Sequence, residues 1–587
     1  MKIPQVFKGP KGQTKVGYTS FPMDNLLNMT SVCGYLLPVY YDVLEPGDKV
    51  KISNILRTIT QPLTKPAMAT ICERVEWFAV PIDQLYKPFK TKYFGINDVE
   101  SDLLPTSGYT NALPFISLTE LTNYLNSCPT SFAAQQAIPL TRPLYGEVKR
   151  LYDCLGYPRD LGITIGSGET YAGSVNLLLP AAYQKIYYDH YRLTDRIPND
   201  PAAYNLDSMY NPTGLTNAAN QSRLDKLFAL HKRPYRLDYF TSMKVSPLMG
   251  SSDVNASGAS LTNISQWLTG LDSLKTGVPT NSANFPYGGA MVPSNSLPNT
   301  VLQDTASGSG NVNQNGMRVY ISSVNPVNIR SMFAVEKLLE VTRRAKKHYD
   351  MQVLAHFGID VPKGLAGECF KIGTHEQYIK INDVMNTADT GLAAVGARSG
   401  AGESGAKSKD FYFEAKCHCI LMAIYSAEPV MNYCNVGLER ITSRTSVDDF
   451  FKPEYDNLGM QPVFARELML VPELTASITS NSVVGWQPRY QEQKAKYNRS
   501  IAGMAFSQFE EWSLNRDIDG STQYSSQFAR KEFFEVWPTD INNILVQQYS
   551  GSFNTYSLVY SEDYLINQLY FDVVKTSKKS IYGVPNL

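Results

Sequence analysis

This 587-residue chain contains few charged residues. Charged residues make up 18% of it, against about 25% in an average soluble domain, and 54 basic residues balance 54 acidic ones. A neutral chain is expected to bind nucleic acid only weakly and non-specifically. Its polarity comes instead from uncharged side chains and 37 tyrosines. Because interfaces are enriched in Tyr and depleted in Lys and Glu, this composition favours a building block that contacts copies of itself.

Long apolar segments are also missing. No run of about 18 apolar residues occurs, so we expect no membrane-spanning helix, and Met1–Val6 lacks the apolar core of a signal peptide. The eight cysteines are scattered along the chain, a distribution that favours buried thiols over a disulfide framework. We therefore expect synthesis in a reducing cytoplasm.

Familiar catalytic and metal-binding motifs are absent as well. The sequence contains no GxSxG and no HExxH. Cys417-His418-Cys419 has no second Cys/His pair at zinc-ligand spacing, and on a strand its two cysteines would share a face that excludes His418. We therefore expect no catalytic residue, no bound metal, no cofactor and no enzymatic activity.

One glycine-rich run resembles a nucleotide-binding loop. Gly400–Gly405 matches GxGxxG, and together with residues 406–408 it comes one residue from a phosphate-binding P-loop. A P-loop requires Gly directly before its Lys, a buried strand before it and a helix after it, whereas here Ala406 intervenes and Phe411 opens a strand-like run. We predict a flexible loop, with nucleotide binding as the alternative.

Strand patterns lie at the two ends of the chain. Val32–Leu44, Lys49–Ser53 and Thr70–Val80 are rich in strand-forming residues, and the Pro-Gly pair in Glu45–Asp48 predicts a turn. Tyr564–Val574 is predicted to be a long buried strand. Strands from opposite chain ends with long excursions between them are typical of an elaborated β-sandwich or jelly roll. We therefore predict that head and tail lie side by side in one sheet.

The middle of the chain is predicted to be partly helical and is unusual in composition. Asn176–Tyr191 is predicted as a short amphipathic helix packed on the sheet, and Ile329–Lys347 as a second helix. Between them, 34 of the 66 residues in Ser251–Gly316 are Ser, Thr, Asn or Gly. Such a segment cannot bury a large core alone. It is either a linker or an exposed projection, and its recurring aromatics and prolines favour the projection.

A series of short motifs runs along most of the chain. Its members are Gly34–Pro38, Leu44–Asp48, Glu76–Pro81, Lys90–Gly95, His231–Ser242, His356–Gly358, Ala415–Ser426, Leu438–Arg444, Val484–Tyr490 and Tyr582–Pro585. In order and spacing, this series resembles the major capsid proteins of microviruses, the small tailless phages with single-stranded DNA. The resemblance is to the gokushovirus-like branch in particular.

The resemblance implies a mainly β fold with helical insertions, namely an eight-stranded antiparallel jelly-roll β-barrel with very long inter-strand loops. It implies a major capsid protein that self-assembles into a T=1 icosahedral shell, encloses the genome and presents a host-attachment surface. The implied partners are further copies of the chain, a small basic DNA-binding protein, a pilot protein, packaged single-stranded DNA and a bacterial surface receptor. The implied location is the virion, after synthesis in the host cytoplasm.

The resemblance also suggests how a single capsid domain, residues 1–587, is organised. Its expected parts are N-terminal core strands in 20–81, a largely helical or irregular insertion in 82–246, a surface projection at the threefold axis in 247–325, and a helix, core strands, loops and the closing strand in 326–587. Trp267, Phe285 and Tyr287 are the candidate side chains for host attachment in the projection.

Two groups of residues are candidates for contact with single-stranded DNA. Cations neutralise phosphates, and aromatic rings stack on unpaired bases. The candidates with this chemistry are Tyr490, Lys494, Lys496, Tyr497, Arg499, Lys575, Lys578 and Lys579. The alternative interpretation is that these cations belong to helix ends or solvated loops.

An exported carbohydrate-binding or carbohydrate-processing β-protein is the second functional hypothesis. It would share the aromatic side chains and the Asn/Gly-rich loops of this sequence. It should also have an export signal and paired acids in a cleft, and no export signal is recognisable.

Overall fold

The structure is a computed structural model that describes residues 17–63, 65–94, 112–129, 142–158, 161, 171–211, 213–248, 326–364, 366–387, 396, 398–434, 437–468, 481–505, 509–516, 531–537, 560 and 563–579. The chain divides into two compact units, which are 1–245 with 348–354 and 358–587, and 246–347 with 355–357. Within the described ranges, no helix combines the length and the apolar character needed to cross a bilayer.

The larger unit is built mainly from strands. Their bounds are β1 Thr19–Pro22, β2 Asn25–Ser31, β3 Leu37–Leu44, β4 Lys49–Thr60, β5 Ile71–Pro81, β6 Phe115–Ser117, β7 Ser174–Asn176, β8 Phe370–Met385, β9 Arg398–Lys407, β10 Phe411–Glu414, β11 Cys419–Pro429, β12 Asn432–Tyr433, β13 Met460–Phe464, β14 Val483–Pro488, β15 Asn515–Arg516 and β16 Leu565–Ser577.

Ten of these strands form one curled antiparallel sheet. Eight follow the order β1, β16, β4, β9, β8, β5, β11, β3, while β2 also pairs with β16 and β10 also pairs with β4. Three two-stranded sheets, β6 with β7, β13 with β14 and β12 with β15, complete the described β-structure. The predicted mainly β fold is therefore confirmed at this level.

Helices are shorter and lie between the strands. The α-helices are α1 Ile82–Leu85, α2 Phe89–Phe94, α3 Leu118–Asn126, α4 Tyr145–Cys154, α5 Leu178–Ile186, α6 Asn217–Leu227, α7 Pro326–Arg344, α8 Tyr349–Phe357, α9 Ala465–Leu468 and α10 Gln491–Lys494. A π-helical turn spans Tyr187–Tyr191, and 3-10 turns span Pro201–Ala203, Asp207–Met209, Val447–Asp449, Pro453–Leu458, Ala502–Met504, Glu510–Trp512 and Lys531–Phe534.

The C-terminal strand β16 joins the two ends of the chain. It pairs along its length with β4, from Leu565 opposite Thr60 to Thr576 opposite Lys49, and on its other side with β2 and β1. The prediction that strands from the two ends of the chain lie side by side in one sheet is therefore confirmed. The prediction of a buried strand is half wrong, because alternate residues of β16 point to opposite faces and only one face is buried.

The turn Glu45–Asp48 is confirmed, but it does not close a hairpin. Gly47 adopts φ +95°, a left-handed conformation that glycine tolerates without steric cost. The backbone N–H of Asp48 donates to the carbonyl oxygen of Glu45 at 3.0 Å. Since β3 pairs with β11 whereas β4 pairs with β16, β9 and β10, the turn is a corner between two parts of the sheet.

The centre of the core lies inside the curl of the sheet. Trp77 of β5 is fully buried, and its ring centroid lies 5.1 Å from that of Tyr40 on β3 and 5.6 Å from that of Phe571 on β16. Strands β3 and β16 lie near opposite ends of the sheet order, and β5 lies two positions from β3. The three rings therefore tie the two ends of the curled sheet together through side-chain packing.

The helix predicted at Asn176–Tyr191 is confirmed, although it is divided into α5 and the π-helical turn. This element packs on the outer face of β5, where the ring of Phe78 lies 4.9 Å from His190 and 5.9 Å from Tyr191. The second predicted helix is confirmed as α7, which belongs to the smaller unit. Phe333 and Leu338 on it are exposed within the described residues.

The loop predicted at Gly400–Gly405 is wrong, because these residues lie within strand β9 between β4 and β8. Gly400 and Gly402 face inwards, where space is very limited. A Cβ atom at Gly402 would lie 2.6 Å from Cγ2 of Thr60 and 2.9 Å from Cγ2 of Ile379. Glycine here permits close approach of neighbouring strands, which sequence composition alone does not distinguish from flexibility.

Candidate functional site

Five large apolar side chains are exposed on the outer face of β2, β16 and β4. Leu26 lies opposite Tyr570, and Tyr570 lies opposite Ile55, while Ile566 lies opposite Ile59. Their exposures range from 37% at Tyr570 to 53% at Leu26. We call these five residues the apolar face. Sequence reasoning missed Ile566 and Tyr570 because the whole of Tyr564–Val574 was predicted to be buried. The other three residues lie outside the predicted strands.

A polar row separates the two apolar rows of this face. Asn28, Gln568 and Arg57 lie opposite one another on the three strands. Nε2 of Gln568 donates to Oδ1 of Asn28 at 3.2 Å, and Arg57 forms an exposed ion pair with Glu403 at 3.5 Å. Apolar groups flanking a small number of hydrogen-bonding groups give a surface that can bury area and also specify orientation.

A different half of the same sheet is covered by the chain itself. The segment His231–Arg236 lies over the outer face of β5 and β11, where Nη1 of Arg233 donates to Oε2 of Glu76 at 2.8 Å and to Oγ of Ser426 at 2.7 Å. The backbone N–H of Arg236 donates to a carboxylate oxygen of Glu428 at 2.5 Å. We call this set of contacts the charged clamp. His231–Ser242 contributed to the family resemblance, but its role was not predicted from the sequence.

Glu76 is the central carboxylate of the charged clamp. It also accepts hydrogen bonds from Nζ of Lys371 at 2.6 Å and from the hydroxyl of Tyr191 at 2.6 Å. Burial by itself would raise the pKa of Glu76, but the positive charges of Arg233 and Lys371 outweigh burial and lower the pKa to about 2. Glu76 is therefore held as a carboxylate wherever the chain is folded above that pH.

The first two residues of the clamp segment, His231 and Lys232, contact aromatic rings. His231 stacks on Tyr187 with a centroid distance of 3.5 Å and an interplanar angle of 4°, and one of its ring nitrogens lies 2.6 Å from Oε1 of Gln184. Nζ of Lys232 lies 4.2 Å from the ring centroid of Trp537. These contacts bind the segment to α5, to the π-helical turn and to residues 531–537.

The inner face of the sheet carries a polar network centred on Glu73, which is fully buried. The carboxylate accepts hydrogen bonds from neutral donors on β4, β8, β9, β11 and β16, which are Thr58 (2.6 Å), Gln377 (2.9 Å), Ser404 (2.7 Å), Tyr425 (2.7 Å) and Asn567 (3.4 Å). Because each donor belongs to a different strand, the network specifies how the strands align. Its arrangement is structural.

A cavity of about 1170 Å³ lies between β2 and β3, along the opening of the curled sheet. Asn25 and Thr30 line it from β2, and Tyr41 lines it from β3. Arg150 at its wall forms a buried ion pair with Asp563 at 2.6 Å. Edge strands such as β2 and β3 carry backbone groups that can pair with an added strand.

The first predicted DNA-contact group is divided by the structure. Tyr490 is 4% exposed and Tyr497 packs in an aromatic cluster, so neither ring offers a free stacking face in this conformation. Lys494, Lys496 and Arg499 are exposed on the same segment. The three cations are thus exposed, whereas the two aromatic rings pack against other side chains.

Ion pairs accompany most of these cations. Lys494 lies 3.6 Å from Asp456, and Arg499 lies 2.5 Å from Glu439. Both pairs are exposed to solvent, where such pairs contribute little and exchange readily. These acids would compete with a phosphate for the same cations, which agrees with weak binding.

The second predicted group, after residue 574, contains one residue with a different role. Lys575 is 6% exposed, and its ammonium donates to Oδ2 of Asp42 at 2.9 Å. It therefore stabilises the sheet in this conformation. Lys579 is exposed and pairs with Glu45 at 3.2 Å, and Lys578 is exposed beside it. The assignment of DNA contact to these clusters stays a prediction, and Trp267, Phe285 and Tyr287 lie outside the described residues.

The cysteines of Cys417-His418-Cys419 share a side, as predicted, but residues 416–417 form a bend before β11 and not the predicted strand. Their sulfur atoms lie 3.4 Å apart, whereas the ring of His418 lies 4.4 Å from Tyr93 and 5.3 Å from Phe89. Among the residues that the structure describes, no group of three or more His, Cys, Asp and Glu side chains is arranged to hold a metal ion.

Known proteins resemble this chain over most of its length. The family described as capsid protein (F protein) of phages matches residues 138–566. Capsid protein VP1 of Chlamydia phage 1 is 23% identical over 575 residues, covering 88% of this chain and 90% of that protein. Capsid protein VP1 of Bdellovibrio phage phiMH2K is 24% identical over 585 residues, covering 94% and 92%. Both phages are gokushoviruses of the Microviridae.

Proposed function

Because this chain belongs to the phage capsid protein (F protein) family, we propose that it is a major capsid protein that assembles with copies of itself into a closed T=1 icosahedral shell. The family is structural rather than catalytic, and capsid proteins form part of the virion. We further propose that the shell encloses the phage genome and presents a surface for attachment to the host.

The apolar face is the observation that carries the proposal of self-assembly. Burying a partly exposed aliphatic side chain contributes on the order of 1 kcal/mol, and the face presents five large apolar side chains on three adjacent strands. Such a sum is modest against the cost of association. A closed shell repeats the contact many times, so that weak individual contacts give a durable assembly.

A jelly-roll barrel is the fold that we propose for the core. The curled sheet has ten strands, but β1 and β2 share one position beside β16, and β9 and β10 share one position beside β4. Ten strands less two shared positions leave eight positions in the sheet order. Eight positions in an antiparallel sheet that curls towards closure support an eight-stranded barrel.

Genome contact is assigned to exposed cations. We assign non-specific contact with packaged single-stranded DNA to Lys494, Lys496 and Arg499, and in the second cluster to Lys578 and Lys579 more than to the buried Lys575. A chain with no net charge supplies no excess of cations to neutralise phosphates, so a separate small basic protein is proposed to neutralise most of the genome. A pilot protein is the further proposed virion partner.

Host attachment is proposed for the projection between residues 251 and 316. Its composition and its position in the chain support this role, and Trp267, Phe285 and Tyr287 are the proposed contact residues. The partner is a receptor on the bacterial surface. Synthesis in the host cytoplasm precedes assembly in this proposal.

The decisive experiment combines electron microscopy with two matched variants. The purified chain should form closed shells of uniform size. Ile566→Asp places a charge in the apolar face, and shells should be lost while the circular dichroism spectrum and the melting temperature of the free chain remain unchanged. Met68→Asp, at an apolar residue that is 76% exposed outside the apolar face, is the control and should still form shells.

Two outcomes would overturn the proposal. If the unaltered chain remains a dispersed monomer under all assembly conditions, it is not a self-assembling capsid protein. If shells form equally well from Ile566→Asp, assembly does not depend on the apolar face.

A further inference from the structure

The pair Cys417 and Cys419 has a geometry that the capsid function does not require. Their sulfur atoms are 3.4 Å apart, and the thiol of Cys419 also lies 3.3 Å from the backbone oxygen of Cys417. A disulfide bond requires a sulfur separation of about 2.05 Å. Because the two side chains already converge, closing this gap needs side-chain rotation rather than a change in the course of the strand.

The backbone on both sides of the pair is fixed by hydrogen bonds. The carbonyl oxygen of Ala415 accepts from the N–H of Gly47 at 2.7 Å, and the N–H of Ala415 donates to Asp48 at 2.8 Å. The carbonyl oxygen of His418 accepts from the N–H of Ile82 at 2.9 Å. The bend at residues 416–417 is therefore held in the conformation that brings the two sulfur atoms together.

The two thiols differ in exposure and in ionisation. Cys417 is partly exposed, whereas Cys419 is buried. The hydrogen bond from Cys419 lowers the pKa of Cys417 to about 7, although burial and the charge of Asp83 oppose this shift. The same hydrogen bond, together with burial, raises the pKa of Cys419. Cys417 thus has the properties of an attacking thiolate, and Cys419 those of a resolving thiol.

We propose that Cys417 and Cys419 form a reversible disulfide bond when the protein meets a low-molecular-weight disulfide. The Cys417 thiolate attacks one sulfur of the reagent, forming a mixed disulfide and releasing one thiolate. That thiolate, or water, takes the proton of Cys419. The Cys419 thiolate then attacks the sulfur of Cys417 and releases the second small thiolate, so that the two cysteines are oxidised and the reagent is reduced.

The location of the pair suggests what the bond does. Cys419 begins β11, which pairs with both β3 and β5, while residues before Cys417 follow β10 beside β4. A bond here locks the bend between two parts of the sheet. It also protects the partly exposed Cys417 against irreversible oxidation once the protein leaves a reducing cytoplasm.

Mass spectrometry of the purified full-length chain treated with oxidised glutathione tests the proposal. After treatment and alkylation, the peptide that contains both cysteines should have lost two hydrogen atoms, carry no alkyl group and carry no glutathione. A reductant should restore two alkylatable thiols. The partly exposed Cys154 and Cys434 serve as internal controls, and their alkylation should not change.

Variants separate the two roles. Cys419→Ser should retain a stable glutathione adduct on residue 417, because the resolving thiol is missing, and Cys417→Ser should acquire no adduct at residue 419. The proposal is overturned if the unaltered chain keeps both thiols alkylatable, or if it accumulates a lasting glutathione adduct instead of the internal bond. Both of these outcomes are measured on the unaltered protein, so they do not depend on how the variants fold.

Discussion

The two halves of the curled sheet differ in how far their outer faces are covered by other parts of the chain. The outer face of β5 and β11 is covered by α5, the π-helical turn and the charged clamp, and all eleven residues of each of these strands are buried. The outer face of β2, β16 and β4 keeps the apolar face exposed. One half of the sheet is thus covered within the chain, and the other half leaves apolar side chains exposed.

The covered half of the sheet and the apolar face also differ in their charged residues. On the covered half, Arg74, Arg233, Glu76 and Glu428 form buried ion pairs. Breaking such a pair from one side is strongly destabilising, whereas the pair itself contributes little net stability. The charged clamp therefore selects one way of docking its segment. The five residues of the apolar face carry no charge. Packing a neighbour against them would therefore bury none of their side chains as an ion.

The largest expected loss of stability comes from the core that both halves share. Trp77→Ala removes a fully buried ring that contacts Tyr40 and Phe571, and should cost about 3–5 kcal/mol of unfolding free energy. Trp537→Ala, at a partly exposed ring over Lys232, should cost about 1 kcal/mol. Chemical denaturation followed by circular dichroism measures both. Equal losses would contradict the placement of Trp77 at the centre of the core.

A second prediction concerns acid and the covered half. The pKa of Glu76 is about 2 in the folded chain against an ordinary value of 4.5. A lowered carboxyl pKa contributes stability above the unfolded value, and this contribution is lost as the pH falls from about 4.5 through 2. The loss should be on the order of 3 kcal/mol.

Acid unfolding curves of two glutamate variants test this pH dependence. Glu76→Gln should be less stable than the unaltered chain at neutral pH, and the difference should shrink as the pH falls. Glu403→Gln, at an exposed ion pair, should follow the unaltered curve. If the Glu76→Gln curve runs parallel to that of the unaltered chain, this carboxylate is not the group that responds to acid.

The smallest expected effect distinguishes strand from loop at the glycine-rich run. Gly402→Ala should cost about 1–3 kcal/mol, because its Cβ atom would meet Thr60 and Ile379 in a packed interior. Gly405→Ala, on the same strand, has no atom within 4 Å of the added Cβ and should be neutral. Thermal melts of the two variants provide the comparison. A flexible loop would tolerate both changes equally.

Local sequence patterns predicted the strands at the chain ends, the corner at Glu45–Asp48 and the helices at α5 and α7. They failed at β9, because its inward Gly400 and Gly402 lack the side chains that reveal a buried strand. They also failed for Lys575, since the Asp42 carboxylate that pairs with it lies 533 residues away. The motif series indicated the capsid family correctly, but it assigned no role to His231–Arg236.

What the sequence by itself determined is which segments form strands and helices and which family the chain belongs to, because period-two alternation, turn residues and ordered motifs are local or linear properties. Only the tertiary structure decided which face of each strand is covered and which cations are paired. Those outcomes depend on contacts between residues more than a hundred positions apart, such as Leu26 beside Tyr570 and Arg233 beside Glu76. No local pattern encodes them.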